Sequence, residues 1–178
     1  PVMMTGHSLI EVLATPLAKP QTAAYIPMER HDGCRLGGKG YPCRAIRTRD
    51  FLYIVNEAPQ RWPAGDPDPS ACARVIPFGE VDPSPTKQFL MIYFDDPATR
   101  RFHQLAFAKR PAEELYDLAK DPSQVVNVAS ESDYADIRTS LRKRLQEHLI
   151  KTRDPRALGL DPAWDYYPYY GNRKNKNW

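Results

Sequence analysis

The 178-residue sequence lacks the features that announce most function classes. No run of apolar residues approaches the ~18 needed for a membrane-spanning helix, so no span is predicted. No Walker-type phosphate loop, nucleophile elbow or dinucleotide fingerprint occurs. Cysteine is scarce: Cys34, Cys43 and Cys72 are an odd set of three, which argues against a disulfide framework. Cys34 and Cys43 with His31 do not have zinc spacing either. Charge of one sign is also missing. A net charge of +3 is too small to argue for nucleic acid or membrane, and neither partner is expected. The opening "PVMMTGHSLIEVLATP" has no basic segment ahead of an apolar core, so it does not read as a signal peptide. It reads as mid-domain sequence, and the expectation is a piece of a longer protein.

Proline is abundant instead: 18 residues of 178, about twice the usual ~5%. Many chain reversals and long connections follow from that. Ser8 is a candidate N-cap with Glu11 at the capping-box position, and Leu9, Val12 and Leu13 make a short apolar face behind it. Residues 22–28 are predicted as a short strand running into the polar stretch 29–42, whose four glycines mark a loop. Residues 43–57 read as a β-hairpin turning at Arg49-Asp50. Residues 59–86 carry seven prolines and form a long excursion. A helix is predicted to begin near residue 86, a strand over 100–109, and a second strand in "EELYD", ending at an Asp121-Pro122 turn. From Asp133, a candidate N-cap, residues Tyr134, Ile137, Leu141, Leu145 and Leu149 recur at helical spacing.

The polar constellations are few. Asp95-Asp96 has the chemistry of a hard-cation ligand pair, but "FDDPATRR" also reads as a strand ending in an Asp-Pro turn, and no metal site is assigned. His7, His103 and His148 stand alone, with His148 read as packing or surface rather than catalysis. The loop beginning Glu29-Arg30-His31-Asp32 is the best candidate site. It gathers His31, Lys39 and Arg44, with Arg35 between, around glycines, which suits a sulfate, phosphate or carboxylate group. The terminal "AWDYYPYYGNRKNKNW" is aromatic, then basic. Its composition also suits single-stranded nucleic acid, although a flexible terminus is the reading preferred.

"RPAEELYDLAKDPSQVVNVA" resembles the C-terminal signature of type I sulfatases, in which a Glu-Leu-Tyr-Asp-Leu strand precedes Asp-Pro and an Asn-Leu-Ala-like segment before a final helix. "GHSLIEVL" is similar to the Gly-x-Ser-Leu segment ahead of the C-terminal subdomain, and "GYPCRAIRTRDFLYIVN" to the family's Arg-Ala-Ile/Val-Arg-Thr strand pair. "RWPAGDPD" and "SPTKQFL" resemble the heparan N-sulfatase (sulfamidase)-like branch. The four blocks stand in order and cover about residues 4–156.

The resemblance implies an α+β fold: the C-terminal subdomain of an alkaline-phosphatase-like sulfatase, a small antiparallel sheet packed against a long C-terminal helix. It implies one subdomain over 1–156 and a flexible aromatic and basic tail over 157–178. Activity on sulfate esters or sulfamates of sulfated sugars follows for the parent enzyme, with calcium and formylglycine as its cofactors. Both would belong to an N-terminal catalytic domain outside this chain, so no catalytic residue is assigned here. Cys43-Arg-Ala-Ile-Arg47 has a formylglycine-like Cys-to-Arg spacing, but Ala45 replaces the family's Pro or Ser and Cys43 aligns with the residue before the strand arginine. Glu29, Arg30, His31, Lys39, Tyr41 and Arg44 are the implied rim contacts to a sulfated carbohydrate. A periplasmic or secreted location is implied in the same way. The alternative is a free-standing module that binds anionic glycans without hydrolysing them.

Overall fold

The computed structural model describes residues 8–15, 22–31, 33–71 and 76–167. Gly6, His7, Asp32, Cys72 and the tail beyond 167, with the nucleic-acid reading attached to it, lie outside the described residues. The frame is a small α+β domain built on one four-stranded antiparallel sheet in the order β1-β2-β3-β4. Its strands are β1 (Ala24–Met28), β2 (Cys43–Arg47), β3 (Phe51–Asn56) and β4 (Glu113–Asp117). The β2–β3 hairpin turns through Arg49-Asp50 as the sequence predicts, with the Thr48 N–H donating to the Phe51 carbonyl at 2.8 Å.

Helices α1 (Ile10–Ala14), α2 (Pro85–Ile92), α3 (Arg100–Phe107) and α4 (Ala135–Lys151) complete the structure. No helix among the described residues is long and apolar enough to cross a membrane. The strand predicted over 100–109 is instead α3. The same apolar residues fit a 3.6-residue period: His103 and Phe107, four apart, bring their rings within 5.1 Å and both pack on Phe78. Asp133 does not cap α4. It lies inside a short 3₁₀ turn, Ser132–Tyr134, and Tyr134 occupies the cap position without a side-chain hydrogen bond. Ser84 does cap α2, accepting from the Lys87 N–H at 3.1 Å ahead of Pro85.

Strand alternation sorts the sheet into two faces. Ile46, Tyr53 and Leu115 point to α4 and form the main core with Leu141, Leu145, Leu149, Val128 and Tyr134. Ala45, Leu52 and Tyr116 make a smaller cluster on the opposite face. The Pro-rich excursion has a core of its own, where Ala64 and Phe78 pack with Phe107 beside Trp62.

Candidate functional site

The candidate loop, residues 29–42, joins β1 to β2, so its two ends are fixed by a ladder that runs out to the pair Met28–Cys43. One further bond closes its base: the Tyr41 N–H donates to the Glu29 carbonyl at 3.0 Å. The limbs approach so closely there that a Cβ on Gly40 would sit 3.2 Å from both the Glu29 carbonyl oxygen and Arg30 Cβ. A side chain at 40 would press on both limbs of the loop's base.

Beneath the loop lies a charged network. Arg44 is 2% exposed and every polar group of its guanidinium is engaged. Nε donates to Asp154 (2.8 Å), Nη2 to Glu29 (2.5 Å), and Nη1 to the carbonyls of Met28 (3.1 Å) and Cys43 (2.9 Å). Arg156 reaches the same Glu29 carboxylate through Nε and Nη2, and pairs with Asp165 at 2.9 Å. Burial alone would push the Glu29 carboxyl up. The hydrogen bonds from Arg156 and Arg44 outweigh it and hold the group below its ordinary range.

The six residues expected at the rim thus divide by placement. Glu29, Tyr41 and Arg44 face inward. Tyr41 is 3% exposed, its hydroxyl has no hydrogen-bond partner among the described residues, and burial pushes its pKa up to about 12, with the negative Glu114 adding to the effect. Arg30, His31 and Lys39 reach the surface. Arg30 donates to the Tyr167 carbonyl at 2.8 Å and to the Gly38 carbonyl at 3.3 Å. Lys39 holds its ammonium 5.5 Å from the centroid of the Tyr166 ring. His31 is largely exposed and makes one polar contact among the described residues, from Nδ1 to Glu80 Oε2 at 2.7 Å.

Several participants escape a reading of the sequence. Glu80 sits in the Pro-rich excursion, 49 residues from His31, and no local signal marks it. Arg156, Asp165, Tyr166 and Tyr167 come from the stretch after α4, which the sequence leaves as the end of a domain and a tail. Two concavities lie elsewhere. One of about 250 Å³ runs between β1 and α4, lined by Tyr25, Arg44, His148 and Asp154. The other, about 680 Å³, is an apolar groove between Pro77, Pro83, Pro85 and Met91. Of the six rim residues, only Arg44 lines either. His148 stacks flat on Tyr25 at 3.5 Å, in keeping with a packing role.

The described residues do not fit a calcium or formylglycine site. Among them no three His, Cys, Asp or Glu side chains cluster as a metal cage. Asp95 pairs with Arg100 at 2.7 Å, and Asp96 closes a turn by accepting from the Ala98 N–H at 2.8 Å. Cys43 begins strand β2, and burial raises its thiol to about 11, away from a reactive thiolate.

No protein-family model matches the chain, and no curated protein matches it. Among solved structures it is similar to BT4656, determined in complex with its substrate D-glucosamine-2-N,6-O-disulfate, at 18% identity and a TM-score of 0.48, covering 86% of this chain and 21% of that one. It is also similar to BT1596, a 2-O GAG sulfatase, at 16% identity and a TM-score of 0.47, covering 98% of this chain and 28% of that one. The chain therefore spans between a fifth and three-tenths of the length of these structures.

Proposed function

We propose that this chain is the C-terminal part of a sulfatase of the sulfamidase-like branch, acting on sulfate esters or sulfamates of sulfated sugars, and that its loop 29–44 forms a wall of the substrate pocket. The observation that carries this reading is the ordered run of family-like blocks. Two of them coincide with the working parts of the domain: "CRAIRTRDFLYIVN" is the β2–β3 hairpin, and "EELYD" is β4, laid against β3. In a sulfatase the formylglycine hydrate supplies the nucleophile and calcium holds the sulfate oxygens. On this reading both belong to residues beyond this chain, and the chain contributes recognition.

Its side chains divide that work. Lys39 and Arg30 bring positive charge to the outer side of the loop, beside the exposed rings of Tyr166 and Tyr167. Cations suit sulfate oxygens, and an aromatic face suits the apolar side of a sugar ring. Glu29 and Arg44 hold the loop's base and touch no ligand themselves.

The test is calorimetric titration of the chain with a sulfated glucosamine oligosaccharide and its desulfated counterpart. The sulfated sugar is expected to bind at least tenfold more tightly, an advantage that K39A cuts about fivefold. Equal affinity for the two sugars, or no binding of either, would overturn the assignment. The chain alone is expected to release no sulfate.

A further inference from the structure

The contact between His31 and Glu80 has a definite chemical direction. Glu80 Oε1 accepts from Arg35 Nη1 at 2.8 Å, and Arg35 is 2% exposed, with Nε and Nη2 donating to the carbonyls of Trp62 (2.7 Å) and Pro63 (2.6 Å). A buried guanidinium held by two backbone carbonyls thus fixes the carboxylate. The other oxygen, Oε2, lies 2.7 Å from His31 Nδ1. An ionised carboxylate only accepts, so Nδ1 carries the proton, and in the neutral ring Nε2 is left as a lone pair. The side chain is 80% exposed, so that nitrogen faces outward.

We propose that Glu80, backed by Arg35, is a positioning residue that locks His31 in the Nδ1–H tautomer, so that Nε2 takes a ligand hydroxyl or amine N–H. The ligand half rests on the sugar-binding reading above. Sulfate oxygens are acceptors and gain nothing from a lone pair. The loop therefore recognises its ligand at two chemically different points, with cations at Lys39 and Arg30 for sulfate and an acceptor at His31 for the sugar ring. His31 reads the sugar and not the sulfate.

The tautomer is read directly from long-range ¹H–¹⁵N correlation spectra of the imidazole ring, above its own titration midpoint. The wild-type chain is expected to show Nδ1–H. In E80Q the new amide oxygen accepts from Arg35, its NH₂ faces Nδ1, and the ring is expected to switch to Nε2–H. A wild-type ring in the Nε2–H form overturns the proposal without reference to any variant, and so does an E80Q ring that stays Nδ1–H. The ligand half is tested by H31A, expected to weaken the sulfated and desulfated oligosaccharides by the same factor, whereas K39A weakens only the sulfated one. A loss confined to the sulfated sugar overturns it. Absence of binding to both sugars overturns the ligand half together with the sugar-binding reading, and the wild-type tautomer still decides the role of Glu80 separately.

Discussion

Tyr41 shows how a single residue can be well packed and poorly satisfied at once. Its ring lies under the Arg35 guanidinium, 5.7 Å from Cζ to centroid, and the side chain is almost wholly buried, yet the hydroxyl meets no partner among the described residues. A buried polar atom without a hydrogen bond loses its hydration and recovers nothing, a cost of about 1–3 kcal/mol. Removing the oxygen and keeping the ring should therefore do no harm. Y41F is expected to raise the urea midpoint or leave it unchanged, with a gain of up to about 1 kcal/mol. A fall in midpoint would mean that the hydroxyl has a partner after all. Gly65 marks the opposite extreme of local constraint. Its φ is +94°, and a Cβ there would come within 2.7 Å of the Gly79 nitrogen and 2.8 Å of Cys34 Sγ. Cys34 is 1% exposed and is walled in by these two glycines, so this cysteine is a packing residue.

At the scale of elements, β4 explains why "EELYD" is so ordered a string. Glu113, Leu115 and Asp117 point to α4, and Glu114 and Tyr116 to the other face. Glu113 is held by Arg142 of α4 and by the Tyr53 hydroxyl. Asp117 accepts from Tyr134 at 2.9 Å and from the N–H groups of Ala119 and Lys120, which folds the following turn. Glu114 accepts from Asn56 of β3 at 2.7 Å and from Tyr116 at 2.5 Å. Each of these residues has an architectural task.

The long helix was equally legible, because a leucine stripe at spacing four allows one partner face only. Leu145 is 2% exposed within that stripe, and Ile150 is 49% exposed off it. L145A is expected to cost about 3 kcal/mol, since it combines lost burial with a cavity. I150A should cost under about 0.5 kcal/mol, as surface changes do. Urea unfolding of the two variants checks this, and equal losses would show that the helix presents a different face. Helix α3 was not legible. Its decisive contacts are to Phe78, more than twenty residues upstream, and a ten-residue run cannot display that neighbour. The same limit hid Glu80. Sequence brought the loop 29–44 forward through its glycines and charges, but which of those charges face inward depends on partners at 80, 154 and 156.

Across the whole molecule, those distant partners make one network. Glu29 at the end of β1, Arg44 on β2 and Asp154, Arg156 and Asp165 beyond α4 are joined by ion pairs, one of them spanning 127 residues of sequence. The network ties the candidate loop to the segment that supplies Tyr166, so the shape of the site depends on the state of Glu29. Its carboxyl is held below the ordinary value of 4.5, because hydrogen bonds from Arg156 and Arg44 outweigh the effect of burial. A carboxyl depressed on folding contributes its full stability above the unfolded value and loses it as pH falls through the lower folded one. Glu113 has the same sign, since Arg142 and Tyr53 overcome its burial, whereas burial raises Glu57 and gives the opposite slope. Comparing wild type with E29Q isolates one group from these others. At pH 7 the variant is expected to be less stable by about 2 kcal/mol, the scale of hydrogen bonds to a charged group. As pH falls below the ordinary value of 4.5 and through the lower folded one, the wild-type carboxylate takes up its proton and the two unfolding curves should converge. A gap that stays constant throughout the acid limb of the titration would show that Glu29 is not the charged hub of this network. Convergence, with Lys39-dependent sugar binding fading over the same interval, would tie the loop's recognition of its ligand to the ion pairs beneath it.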